Sequence, residues 1–182
     1  MKKKILIGIG AILIIVIGYV AYTLLTTRSH SPLATVETTV GDMNVKVVYC
    51  RPYKKGRLIF GEESADALLP YGKYWRLGAN EATEITFSKD INFAGKPISA
   101  GRYRMYTVPN ADSWQISLNS EVGKWGAFEP DYSLDVIKVD VPVQTNPQET
   151  EQLTIQFSSD SAGVLMDFIW DKTLIRVPIA QQ

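Results

Sequence analysis

The 182-residue chain contains one histidine and one cysteine. The histidine, His30, lies in the short tether after an apolar run, so the rest of the chain has no imidazole. A Ser-His-Asp or Cys-His site on the folded portion is thereby excluded, because the general base is missing. The usual four-ligand zinc sites need more Cys and His than are present. Cys50 has no second cysteine to pair with. The fold must therefore rely on its core even in an oxidising compartment. Cys50 ends a strand-like run and reads as a buried, unreactive thiol. No glycine-rich phosphate loop precedes a helical pattern, and the EF-hand spacing is missing. Scattered carboxylates on β-loops are the one route to Ca²⁺ that spacing does not address. No cofactor and no metal is expected.

Charge of one sign is also lacking: 19 basic residues face 19 acidic ones. The balance hides a division. Lys2, Lys3 and Lys4 precede 21 uncharged residues, Ile5 to Leu25, of which 13 are Ile, Leu or Val. As a helix this run is roughly 30 Å long, matching the hydrocarbon core of a bilayer. Its aliphatic side chains contribute about −4 to −8 kcal/mol to insertion before the other residues reduce it. A cleaved signal peptide would have a shorter apolar region and small residues at its exit. Here the exit reads Tyr-Val-Ala-Tyr-Thr-Leu-Leu, which favours an uncleaved signal anchor. Three lysines before the span against Arg28 alone after it place the N-terminus in the cytoplasm. Residues 1–30 are thus expected to be cytoplasmic stub, transmembrane anchor and tether, and residues 31–182 a domain on the far side. Within the tether, residues 26–33 reach at most about 28 Å when extended. The domain carries a net charge of −4, which gives no electrostatic case for nucleic acid.

Beyond the tether nearly every apolar segment has period two. Met43, Val45, Val47 and Tyr49 share one face, as do Thr83, Ile85 and Phe87, and Trp114, Ile116 and Leu118. Tyr103 and Met105 stand opposite Arg102, Arg104 and Tyr106. Four further runs complete the series: LDVIKVDV, EQLTIQFS, GVLMDFIW and TLIRVPI. Turn signals separate the runs, among them Val40-Gly41-Asp42, Asn146-Pro147 and Ser161-Ala162-Gly163. The expected architecture is an all-β antiparallel sandwich of about nine or ten strands, preceded by one transmembrane helix. Only residues 62–69, EESADALL, suit a helical turn or two. Tyr49, Phe87, Trp114, Ile116, Leu118, Ile155, Phe157, Met166 and Phe168 are expected in the core.

Three features are candidates for function. Arg51, Lys54, Lys55 and Arg57 surround one turn, with Arg76 possible as a neighbour. Converging arginines hold carboxylates or phosphates through paired N–H donors, whereas a solvated basic turn only keeps strand edges apart. Trp125, Phe128 and Tyr132 lie on a long loop, where rings suit sugars or a partner, or else cover the end of the core. The corner YWRLGANEATEITFS carries Arg76, Asn80 and Glu81. Gly78 is expected to supply a positive φ and the Asn80 side chain to bond the turn. Arg76 and Glu81 are expected to form a polar clasp, the alternative being a ligand site. The candidate ligand-binding set is Arg51, Lys55, Arg57, Arg76, Asn80, Glu81, Trp125 and Tyr132, for an anionic or sugar-like ligand. A carboxylate-dependent hydrolase of envelope glycans or anionic small molecules is the alternative, with Glu81 as acid or base.

The segments SPLATVETTVGDMNVKVVYCRPYKKGRLIFG, LLPYGKYWRLGANEATEITFSKD, AGRYRMYTVP and KWGAFEPDYSLDVIKV together resemble the bacterial family known as domain of unknown function 2911. The resemblance runs from Ser31 to about Ile179. It implies a small, mainly β, exported bacterial domain and no activity, and it carries over no catalytic residue. Many relatives begin with a cleaved or lipoprotein signal, from which the plain apolar span here departs. EESADA reads as extra sequence. With this origin, the expected location is the inner membrane, single-pass, with the domain in the periplasm as a binding or envelope-associated module. A reporter that folds only outside the cytoplasm, fused after Gln182, should be active. One that works only in the cytoplasm should be silent.

Overall fold

The computed structural model describes residues 2–160 and 163–182. Helix α1 spans Lys2–His30. Its Gly8–His30 portion contains an 18-residue window with a mean hydropathy of 2.3 and is long and apolar enough to cross a membrane. Ile9, Ile12, Leu13, Ile14 and Ile15 are all exposed, so apolar side chains surround the helix rather than forming one stripe. The helix runs through His30, so the segment read as a tether is helical up to that residue and strand follows almost at once.

The strands are β1 (Leu33–Val40), β2 (Met43–Cys50), β3 (Phe60–Gly61), β4 (Leu69–Pro70), β5 (Thr83–Phe87), β6 (Ile91–Phe93), β7 (Lys96–Ile98), β8 (Gly101–Pro109), β9 (Ser113–Asn119), β10 (Asp135–Asp160) and β11 (Gly163–Gln181). Nine of them form one antiparallel sheet in the order β1-β2-β5-β8-β9-β10-β11-β6-β7, while β3 and β4 make a separate short parallel ladder. The sheet does not close into a barrel.

Two pairs of expected strands are fused. LDVIKVDV and EQLTIQFS are both parts of β10, and GVLMDFIW and TLIRVPI are both parts of β11. Asn146-Pro147 is therefore not a chain reversal. It lies in a register shift between Thr145 and Thr150, opposite Asp171, whose φ is +54. The extra residues are accommodated as a bulge, which bends the strand without ending it. EESADALL yields one 3-10 turn, Glu63–Ala65. Of the expected turn Ser161-Ala162-Gly163, the first two residues lie outside the described residues.

Strand β10 pairs with β9 over Asp135–Pro142 and with β11 from Val143 onward. It thereby belongs to both halves of the sheet, which pack against each other as the layers of a sandwich. Across the layers the Tyr49 hydroxyl accepts from Ile155 N at 2.8 Å and donates to Ile155 O at 3.4 Å. Phe87 meets Phe93 with ring centroids 6.1 Å apart, and Trp75 stacks on Trp170 at 5.8 Å. Alternation delivers one face of each strand to this shared core. Tyr49, Phe87, Trp114, Ile116, Leu118, Ile155, Met166 and Phe168 are buried as expected, while Phe157 is only half-buried at the core's margin.

Trp114→Ala and Phe168→Ala should each cost about 3–5 kcal/mol, a large part of an ordinary domain's stability. Equilibrium denaturation of each variant checks this.

Candidate functional site

The corner quoted above starts at a local bridge. Trp75 N donates to Thr107 O at 2.8 Å and Thr107 N to Trp75 O at 2.9 Å. Alternation then sends Trp75 and Leu77 into the core and leaves Tyr74 and Arg76 half-buried on the other side. The left-handed positions are Leu77 (φ +56) and Asn80 (φ +58), not Gly78. Gly78 is needed for a different reason: a Cβ there would lie 2.8 Å from the carbonyl oxygen of Cys50. The turn is tied by Trp75 Nε1 donating to Gly78 O at 3.1 Å and by Thr83 Oγ1 donating to Leu77 O at 2.8 Å.

Arg76 and Glu81 do not form the expected clasp. Glu81 Oε1 accepts from Arg28 Nη2 at 2.5 Å, and Oε2 accepts from Cys50 Sγ at 3.1 Å. The Asn80 side chain accepts from Thr27 Oγ1 at 3.1 Å instead of bonding the turn. The end of α1 thus supplies partners that the sequence placed in a loose tether. Burial pushes the Glu81 carboxyl up, but its own backbone N–H, the Cys50 thiol and Arg28 outweigh this and hold it below the usual range. Burial, reinforced by Glu81, pushes the Cys50 thiol up to about 11, so it stays protonated and unreactive at neutral pH.

A second finding concerns the outer face of β8. Arg104 and Tyr106, on the polar side of the expected alternation, are 1% and 2% exposed. Residues 120–134 cross over them. Arg104 Nη2 donates to the Tyr74 hydroxyl at 2.6 Å and to Phe128 O at 2.5 Å, and Nη1 reaches Glu121 Oε2 at 3.4 Å. Tyr106 lies between Tyr74, tilted at 47°, and Tyr132, edge-on at 60°, and donates to Asp135 Oδ2 at 2.7 Å. Gly126 lets the loop settle on the corner, because a Cβ there would lie 2.7 Å from Arg76 Cδ.

Between the corner, the basic turn and β11 lies a cleft of about 480 Å³. Lys55, Arg57, Arg76 and His30 supply its basic lining, Tyr53, Tyr74, Trp75 and Trp170 its rings, and no Asp or Glu lines it. Arg57 is held by its own turn, with Nε on Lys54 O at 2.9 Å and Nη2 on Tyr53 O at 2.5 Å. Among the described residues Lys55, Arg57 and Arg76 form no ion pair, and the buried Nε of Arg76 has no hydrogen-bond partner. Neighbouring Lys54, by contrast, is neutralised by Glu149 at 2.6 Å and Asp171 at 2.8 Å.

Of the candidate set, Lys55, Arg57 and Arg76 are therefore brought together. Glu81 and Trp125 line a different cavity of about 310 Å³, with Arg28, Glu84, Arg102 and Lys124. Arg51 lines neither cavity and fastens its strand end to β10, donating to Leu153 O at 3.1 Å and Thr154 Oγ1 at 3.0 Å. Asn80 is committed to Thr27, and Tyr132 donates to Glu129 Oε2 at 2.7 Å under the ammonium of Lys138. Tyr53, Tyr74, Trp170 and His30 are cleft residues that pattern reading missed. Trp170 gave no signal because a strand residue at a cleft reads like any other core position.

Arg104→Ala should cost about 1–3 kcal/mol for each carbonyl or hydroxyl left without a donor. Gly78→Ala should cost about 1–3 kcal/mol by overpacking against the Cys50 backbone. Arg76→Ala, with no ion pair to lose, should cost no more than about 1 kcal/mol of packed stem. Denaturant melts of the three variants should rank them in that way.

Searches of curated proteins and of solved structures each returned no significant match. The model of one family, described as "Protein of unknown function (DUF2911)", matches residues 31–179. Strands β1 to β10, all of β11 but its last two residues, the corner, the basic turn and the covering loop lie within that stretch, and the chain belongs to this family.

Proposed function

We propose that the chain is a membrane-anchored, extracytoplasmic binding module whose cleft takes a small anionic ligand. The span within residues 5–25 would hold it in the bacterial inner membrane, with residues 31–182 in the periplasm. One observation carries the reading: three cationic side chains without carboxylate partners converge on a ring-lined cleft. Unpaired guanidinium and ammonium groups favour a carboxylate or phosphate, bound through charge-assisted N–H donors. Indole and phenol surfaces beside them suit the apolar face of a sugar ring. The cleft volume falls in the usual range for small-molecule sites.

The hydrolase alternative has less support. Glu81 faces the other cavity and is engaged by Arg28 and Cys50. Its carboxyl is held below the usual range, which disfavours the protonated form that a general acid needs. Deprotonated Glu81 also links stability to pH. Its folded value lies below its unfolded one, so the contribution is present at neutral pH and fades as pH falls through the folded value.

The test is thermal denaturation of the full chain in detergent, with glucose 1-phosphate, inorganic phosphate and glucose as probes. Glucose 1-phosphate should raise Tm most and glucose not at all. Ligand at 100 times its Kd stabilises by about 2.7 kcal/mol. The triple variant Lys55→Ala, Arg57→Ala, Arg76→Ala should melt near the parent Tm without ligand and lose the shift. No shift with either anion, or a shift retained in the triple variant, overturns the reading.

A further inference from the structure

The loop that covers β8 hangs beside the end of α1. Taking α1 as a membrane span, the aliphatic run ends at Leu25, and Arg28 lies three residues, about 4–5 Å, farther along the axis. The headgroup layer is roughly 5–7 Å thick on each side of the hydrocarbon. Arg28 therefore sits within that layer, and so does its partner Glu81, 2.5 Å away. Thr27 holds Asn80 at the same level.

Asn80 and Glu81 in turn carry the loop. Gly126 N donates to Asn80 O at 2.9 Å, Ala82 N donates to Lys124 O at 3.2 Å, and Glu81 pairs with Trp125 as an isolated β-bridge. The loop turns its large side chains outward: Trp125 is 42% exposed and Phe128 73%. The other three tryptophans are buried at 4% or less. Amphipathic rings at headgroup depth, flanked by cations, are what interfacial anchors are made of. Arg28 and Lys124 line the cavity beside Trp125, but each has a carboxylate partner, Glu81 at 2.5 Å and Glu121 at 3.7 Å, so the rings rather than free charge carry the contact.

We propose that residues 124–128 form a second membrane contact, with Trp125 and Phe128 seated in the lipid headgroup layer beside the helix. The inference rests on the reading of α1 as an anchor. Two attachments at one level would fix the domain's orientation on the bilayer, where a single helix leaves it free to swivel.

The experiment uses the full chain in vesicles of phosphatidylcholine and phosphatidylglycerol. Flotation at alkaline pH reports the anchor. Tryptophan-selective fluorescence with lipids brominated near the headgroup or near the chain terminus reports the loop. The expected result is a floating chain whose emission is quenched most by the bromines nearer the headgroup. Trp125→Phe, at an exposed position, should float equally and lose most of that quenching. A floating chain with no quenching, or with quenching unchanged in Trp125→Phe, overturns the loop contact and leaves the anchor standing. A chain that fails to float overturns both.

Discussion

One buried guanidinium joins the parts of this molecule that carry its candidate chemistry. Arg104, on β8, binds the Tyr74 hydroxyl of the corner and the Phe128 carbonyl of the covering loop. Removing such a charge from water is costly, and although its buried Nε has no partner, the bonds made by Nη1 and Nη2 hold the three segments in one arrangement. With Tyr74 fixed on the outer side, Trp75 must enter the core and Arg76 must return outward beside the cleft. The same tie sets where Phe128, and with it the exposed end of the loop, is presented.

The long strands β10 and β11 supply the second constraint. Because β10 runs through both halves of the sheet, the halves share one core and meet along a seam. The cleft takes its lining from both halves, though from no residue of β10. Its floor joins Trp75 from the corner to Trp170 from β11, stacked with an interplanar angle of 26°. A site composed from both layers is rigid on its apolar side, while its cations sit on the rim and on a turn.

The distribution of charge distinguishes structural from available groups. Lys54, Arg51 and Arg176 are spent on internal partners: Lys54 on two carboxylates, Arg51 on β10, and Arg176 on Asp167 at 2.7 Å. Among the described residues the side chains of Lys55, Arg57 and Arg76 form no ion pair, the Glu151 carboxylate near Lys55 being taken by its backbone N–H at 2.8 Å. Adjacent residues in one basic turn thus have different surroundings: Lys54 reaches Glu149 and Asp171 on β10 and β11, while the chain turns at Lys55, whose φ is +51, and leaves that side chain at the cleft.

Local periodicity was enough to read the all-β class, the apolar helix and most of the core. Alternation of polar and apolar side chains reflects a strand's two faces wherever one face meets water. It failed at Arg104 and Tyr106, where a loop distant in sequence covers the polar face. It failed again at Asn146-Pro147, where a bulge opposite Asp171 absorbs what reads as a turn. At the corner the sequence identified the residues that matter but not their partners. Gly78 is required by the Cys50 backbone, Glu81 is taken by Arg28, and Asn80 by Thr27. Whether a basic residue is neutralised or free is likewise invisible along the chain. It depends on which carboxylates the folded sheet brings within a few ångströms, and that is decided only by long-range packing.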